Sequence, residues 1–351
     1  MQNQHPSTPT LPGMDTLPLG NPARRQALHA ALAAGLAATP WWSHAQATKP
    51  VPAKISKLAS TVRIVIPANP GGGWDQTGRA LGATLIQAGA AEQVEYENIG
   101  GKGGTIGLAK YAEKYSADPN ALLMGGMVMV GAVALQKPAV DMGHIQPIAR
   151  LTSDYLVVVV PATSRIRSTK DLVAALRADI KAVPIAGGSA GGVDHMFAGV
   201  LVRAAKASPE ALVYRPFTSG ADVVTALQKG EAAVGISGFS EVSDAMASGA
   251  LRAIGVSSKR SVFGLPTFRD QGLDAEMANW RGIFTGKQVA ATRVAEWAAA
   301  VEHATAHESW QKALKQNRWE SAWLSGKDFA EFIELSHTTA SVMTYLLRLK
   351  A

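Results

Sequence analysis

Val62-Arg63-Ile64-Val65-Ile66-Pro67-Ala68-Asn69-Pro70-Gly71-Gly72-Gly73-Trp74-Asp75 is the stretch whose reading decides the fold. Val62, Ile64 and Ile66 fall on one side of an extended chain, which predicts a strand over Val62–Pro67. Three successive glycines then lead toward a helix expected over Thr77–Gln87. The same order recurs at once: a strand over Val94–Glu97, the loop Asn98-Ile99-Gly100-Gly101-Lys102-Gly103-Gly104-Thr105, and a helix over Ile106–Tyr115. Glycine removes side chains, so a ligand approaches the backbone amides closely. Where such a loop enters a helix, free N–H groups and the helix dipole make an anion site. Two such loops point to a protein that grips a small anion, a carboxylate being the natural candidate.

Working outward, short apolar runs keep alternating with helical patterns. Strands are expected at Ala121–Met124, Ile148–Leu151 and Tyr155–Val160, the last apolar throughout as in a strand buried on both faces. Ser168-Thr169-Lys170-Asp171 opens a helix through Asp179 in the manner of a capping box. Strands at Pro184–Ala186, Leu212–Arg215, Ala232–Ser237 and Ala253–Ser257 alternate with helices at Val193–Ala205, Ala221–Lys229 and Ser240–Ala247. The C-terminal part is helical: Thr292–Thr305, Glu308–Gln316 and Asp328–Leu347, with Trp297, Trp310, Trp319 and Trp323 expected to pack these helices. Such alternation predicts an α/β architecture of two units, mainly parallel sheets with helices on both faces. Ligands then bind beyond the carboxyl ends of the strands, where the glycine loops fall.

The N-terminus reads as a processing segment. Arg24-Arg25 precede an Ala-rich run from Ala27 to Ala38, and Ala45-Gln46-Ala47 matches a small-x-small cleavage site. This predicts an export signal over 1–47, cleaved after Ala47, and a tail over 48–60. The paired arginines admit the twin-arginine route, although Gln26-Ala27-Leu28 fits that pattern poorly. Beyond this segment there is no run of 18 apolar residues, so the mature chain is expected to be soluble. The formal net charge is +7 and the chain has no cysteine. The basic residues are spread out, with no Lys/Arg block or interleaved aromatics, which argues against nucleic acid as a partner. The absence of cysteine excludes disulfides and thiolate chemistry.

Each loop has a plainer reading beside the functional one. Asp75 suits a helix N-cap. Lys102 is either a solvated loop lysine or a cation for a second carboxylate. The second loop is no nucleotide motif, since Gly103 follows Lys102 where a Walker loop needs Ser or Thr, and Ile106 stands where a Rossmann loop needs glycine. A third loop, Ala186-Gly187-Gly188-Ser189-Ala190-Gly191-Gly192-Val193-Asp194, contains G-x-S-x-G, the pattern of a nucleophile elbow. The enzyme reading is a secreted serine esterase using Ser189. It lacks a histidine on a late loop, since Asp194 and His195 diverge at a helix start, and His303, His307 and His337 lie in or beside helices. No His/Asp/Glu grouping has metal-ligand spacing, and no cofactor is expected. Trp280 reads as core or as a cleft wall.

In joint order and spacing these motifs resemble the periplasmic receptors of tripartite tricarboxylate transporters, the Bug family. The residues that carry the resemblance are Pro70–Asp75, Asn98 with Gly103–Gly107, Ala186–Gly192 with Asp194-His195, Gly235–Gly238, Leu251-Arg252-Ala253 and Asn279-Trp280-Arg281-Gly282. The resemblance implies a non-enzymatic, two-domain Venus flytrap closing on a carboxylated metabolite. Domain 1 would comprise 61–158 plus 259–351, and domain 2 residues 159–258. Carried over, the first-domain contacts fall on Gly72, Gly73, Asp75, Gly103, Gly104 and Thr105, and the second-domain contacts on Ser189, Asp194 and Ser237. Trp74 and Lys102 complete the candidate set from the loops themselves. Lys102 stands where the family has a small residue and Gly78 where alanine is usual. The Asp-Asn pair that many members carry near Ser237-Gly238 is missing, which argues against amino-acid ligands. The expected protein is a periplasmic monomer that binds a di- or tricarboxylate and hands it to membrane components of the transporter. A receptor that signals to a sensor protein is the other binding-protein reading.

Overall fold

The computed structural model describes residues 56–350. The export segment 1–47 and the first part of the tail 48–60 lie outside them. Ala59 and Ser60, expected in that tail, already belong to the first strand, because Ala59 pairs with Ala91. The strands are β1 (Ala59–Ile66), β2 (Ala91–Asn98), β3 (Ala121–Gly126), β4 (Ile145–Pro161), β5 (Ile185–Gly187), β6 (Tyr214–Pro216), β7 (Val234–Gly238), β8 (Leu251–Val256), β9 (Ala278–Gly286) and β10 (Glu320–Ser325). The helices are α1 (Gly73–Gln87), α2 (Thr105–Tyr115), α3 (Met127–Gln136), α4 (Thr169–Ala178), α5 (Val193–Ala204), α6 (Gly220–Gln228), α7 (Phe239–Ala247), α8 (Ala291–Ala306), α9 (Glu308–Asn317) and α10 (Gly326–Leu346).

The sheet order is β2-β1-β3-β9-β4-β7-β5-β6, with β10 and β8 also pairing to β4. Two parallel wings result, β2-β1-β3 on one side and β7-β5-β6 on the other. Between them run β9 and β4, antiparallel to their neighbours. In each parallel wing the strands end at the same edge, so the loops into α1, α2, α5 and α7 open at that edge.

The 17-residue β4 replaces the two strands expected there. Thr152-Ser153-Asp154 interrupts the apolar pattern, which reads as a break. The chain nevertheless continues extended, because Thr152 is buried and Asp154 is paired to Arg281 across the ladder. From Ile145 to Tyr155 the strand pairs with β9, and from Leu156 onward with β7 and β8.

Three elements had no sequence signal of the right period. The helix α3 is apolar on nearly every side, with Met127, Met129, Val130, Ala132, Val133 and Ala134 all buried. Such a helix shows no amphipathic stripe. The strand β9 is buried at every position after Ala278 and shows no alternation. The strand β10 is short and half-buried, on the edge of β4. The helix α1 starts at Gly73, four residues earlier than expected, with Gly72 as its N-cap.

Trp297 and Trp310 are fully buried, as expected of helix packing. Trp280 is core, edge-on to Phe329 and Phe332 at 5.8 and 5.4 Å. After α10, Leu347 and Leu349 pack over Gly199 of α5, and Arg348 pairs with Glu210 at 2.7 Å. No helix among the described residues is long and apolar enough to cross a membrane.

Candidate functional site

Six helix N-termini converge on one cleft. Its lining includes Gly72, Gly73 and Trp74 where α1 begins, Gly103 and Gly104 at α2, Val128 at α3, Asp194 at α5, Ser219 and Gly220 at α6, and Gly238 and Glu241 at α7. The cleft holds roughly 800 Å³ of non-atom space, part of it open to solvent. The N-caps of α1, α2, α3, α5 and α7 are glycines with no side-chain cap. The starts of α1, α2 and α3 therefore meet the cleft with no acidic side chain in the first turn of α2 or α3 and with Asp75 of α1 turned away, whereas α5 and α7 place the first-turn acids Asp194 and Glu241 in the lining.

The first loop is held from behind. Gly71 has φ +88° and donates its N–H to Asp75 Oδ2 at 2.9 Å. Asp75 Oδ1 accepts from Arg79 Nε at 2.9 Å and from Asn98 Nδ2 at 2.9 Å. Burial pushes the Asp75 carboxyl up, but the Arg79, Gly71 and Asn98 donors outweigh it and hold it below the usual range. Asp75 thus braces the loop from outside the cleft lining; it is not the N-cap expected of it, since that position falls on Gly72 and Asp75 is the third residue of α1.

The second loop is a run of four left-handed residues, Gly101 (φ +121°), Lys102 (+48°), Gly103 (+67°) and Gly104 (+90°). A Cβ on Gly104 would sit 2.8 Å from the Trp74 ring, so glycine lets the two loops touch. Lys102 is exposed and stands outside the lining; its carbonyl accepts from Thr105 Oγ1 and Gln136 Nε2, both at 3.0 Å. Thr105 is likewise behind the loop, tying it to α3.

The third loop repeats the first with a different acceptor. Gly191, at φ +79°, donates to His195 Nδ1 at 3.1 Å, as Gly71 donates to Asp75 four residues on. Burial pushes the His195 imidazole down to about 4, so it stays neutral and accepts. It stacks on Tyr214 with centroids 4.0 Å apart and lines a separate pocket behind the loop. Asp194 faces the cleft, its Oδ2 accepting from Gly188 N at 3.0 Å. Burial, reinforced by the Glu241 charge, raises its carboxyl to about 7. Ser189 lines the cleft, and no histidine bonds to its hydroxyl among the described residues. The esterase reading therefore has no base to stand on.

Of the expected site residues, Gly72, Gly73, Trp74, Gly103, Gly104, Ser189, Asp194 and Ser237 line one cleft; Asp75, Lys102 and Thr105 do not. Sequence reasoning missed Glu241 and Arg281. Glu241 accepts from Ser237 Oγ at 2.9 Å and from Gly220 N at 3.3 Å, tying the starts of α6 and α7 together. A Ser-Gly strand end followed by an acid in the next helical turn was its signal. Arg281, 2 % exposed, forms part of the cleft wall and pairs with Asp154 at 3.0 Å. Its signal was a lone arginine in an apolar run.

A family model described as the tripartite tricarboxylate transporter family receptor matches residues 83–343. The chain belongs to that receptor family. A UPF0065 protein in the tcbD-tcbE intergenic region of Pseudomonas sp. (strain P51) is 27% identical over 259 residues, 72% of this chain and 76% of that protein. Among solved structures, MatC from Rhodopseudomonas palustris with bound malate superposes with a TM-score of 0.70 at 20% identity, covering 81% of this chain and 98% of its own. A second R. palustris protein, with adipate, superposes at 0.75 and 18% identity, covering 83% and 98%. The fold of this receptor family member is accordingly the two-domain α/β fold of periplasmic binding proteins.

Proposed function

We propose that this receptor captures a small organic carboxylate of the di- or tricarboxylate class in the periplasm and delivers it to the membrane components of a tripartite transporter. One observation carries the reading: five glycine-capped helix starts, those of α1, α2 and α3 with no acid turned into the cleft, surround a single cleft beside a buried arginine. Each helix end contributes about 0.3–1 kcal/mol toward an anion, more when partly buried. Charge-assisted donors add roughly 1.5–3 kcal/mol each. A few together suffice for micromolar affinity, about −8 kcal/mol, after the costs of association. The malate and adipate held by two relatives of the same fold support the ligand class.

Capture works by closure of domain 2 (159–258) on domain 1 (61–158 plus 259–351), in a monomer exported by the segment 1–47. The change of partners in β4 between Tyr155 and Leu156 supports that division. Gly72, Gly73 and Gly103 present amides from one side, and Ser189 and Asp194 present polar groups from the other, beside a Ser237 hydroxyl whose proton is held by Glu241. Asp194, near half protonation at neutral pH, is able to donate to a second carboxylate. The test is calorimetric titration with L-malate, adipate and citrate. Micromolar binding of at least one acid, with a raised melting temperature, is the expected result. Flat titrations for all three overturn the reading.

A further inference from the structure

We propose that Arg281 is the charged anchor of the cleft, taking one carboxylate of the ligand on its guanidinium beside the Gly73 loop. This rests on the carboxylate reading above and goes beyond it, since a backbone cradle recognises anions without any side-chain charge. Arg281 enters the site from β9, at the point where β9 pairs with the end of β3 through Gly126. The guanidinium packs against the first loop: a Cβ on Gly73 would lie 2.6 Å from Nη2 and 3.0 Å from Cζ. The opposite support is the Trp319 ring, 5.1 Å from Cζ.

The ion pair leaves this group underused. Its hydrogen bond among the described residues is the single Nη2–Asp154 Oδ2 contact of 3.0 Å. Nη1 is wholly buried and has no partner. Asp154 does not grip the guanidinium with both oxygens: Oδ2 takes Nη2, while Oδ1 accepts from Tyr155 N at 2.8 Å. Arginine carries five donors in a fixed fork suited to bidentate carboxylate binding. Burying such a group with most donors idle costs free energy unless something else engages them. An arginine kept only to neutralise Asp154 would be expected to bind it as a fork. One held monodentately at a cleft wall, with Nη1 unpartnered, is poised for a second carboxylate.

The remaining charged groups fit this assignment. Asp194 and Glu241 line the cleft from α5 and α7, and among the described residues no lysine does. Arg281 is therefore the cation of the lining, and it sets where the anionic end of a ligand lies. The other end, toward Ser189, Asp194, Ser237 and Glu241, takes hydroxyl groups or a second carboxylate that shares the Asp194 proton.

The experiment uses the full mature chain and calorimetry with L-malate, adipate and citrate. The variant Arg281→Gln/Asp154→Asn replaces the ion pair by a neutral pair of similar shape, so no lone charge is buried. Whichever acid the wild type binds most tightly should bind this variant about 10- to 100-fold more weakly. Preference for that acid over its uncharged amide should collapse in parallel, which a merely structural arginine would not produce. Arg281→Lys keeps the charge and the contact to Asp154 but loses the fork; it should fold and bind at least about 10-fold more weakly. Affinity within twofold of wild type in the folded double variant overturns the role of Arg281 and leaves the carboxylate reading standing. A wild type that binds none of the three acids overturns both.

Discussion

At the scale of single residues, the cleft depends on groups chosen for what they lack or for the proton they keep. Gly73 is the sharpest case of the first. Its missing Cβ makes room for Arg281, so Gly73→Ala should weaken acid binding about 10-fold or more while the chain still folds; titration calorimetry beside a thermal melt checks this. Gly73→Val should abolish binding. Asp194 is the case of the second. Its carboxyl is raised from 3.8 to about 7 by burial and by Glu241. A raised carboxyl contributes stability that is fully present below the unfolded value near 4 and is lost as pH climbs through about 7. Asp194→Asn keeps an acceptor for the Gly188 N–H and removes that loss. Relative to this variant, wild-type unfolding free energy should fall between pH 4 and pH 8 by on the order of a few kcal/mol, read from urea unfolding at each pH. Ligand affinity should fall over pH 6 to 8 as Asp194 loses its proton, and should be flat in the variant. The glycine loops were legible in the sequence because their chemistry lies in the backbone. Arg281 was not, because its partner Asp154 is 127 positions away and no local pattern joins them.

At the scale of elements, legibility followed periodicity. Strands and helices with one wet face, such as α1 and α2, declared themselves. The helix α3 and the strand β9 did not, since uniform burial erases the contrast that a period is read from. In β4 the fault lay with polarity: Asp154 looks like a loop residue until Arg281 is placed beside it. That pair gives the element its own prediction. Asp154→Leu leaves Arg281 buried without its counter-charge, and should cost about 3–5 kcal/mol in urea unfolding. Burial holds the Asp154 carboxyl up at about 6 even though Arg281 pulls it down. Its contribution has the same sign as that of Asp194 and fades as pH rises from about 4 to about 6.

At the scale of the whole molecule, the architecture makes the cleft a meeting place of two sheet wings. Saturating acid should reduce the radius of gyration in small-angle scattering, and an unchanged value would count against closure of one wing on the other. The likeness in loop design between wings was half visible in the sequence as two Gly-Gly-x-Asp runs. What it hid was the register. Asp75 braces its loop from outside the cleft, whereas Asp194 faces in and His195 takes over the bracing.

The uninterrupted path of β4 has a mechanical meaning. Halves tethered by slack loops would swing freely, but here both hang on one pleated ribbon whose hydrogen bonds run from Ile145 to Pro161. If the two wings close on a ligand as proposed, the movement would be taken up in part as torsion along that ribbon, and is expected to be small in amplitude, fixed in direction and self-reversing, in the manner of a leaf spring.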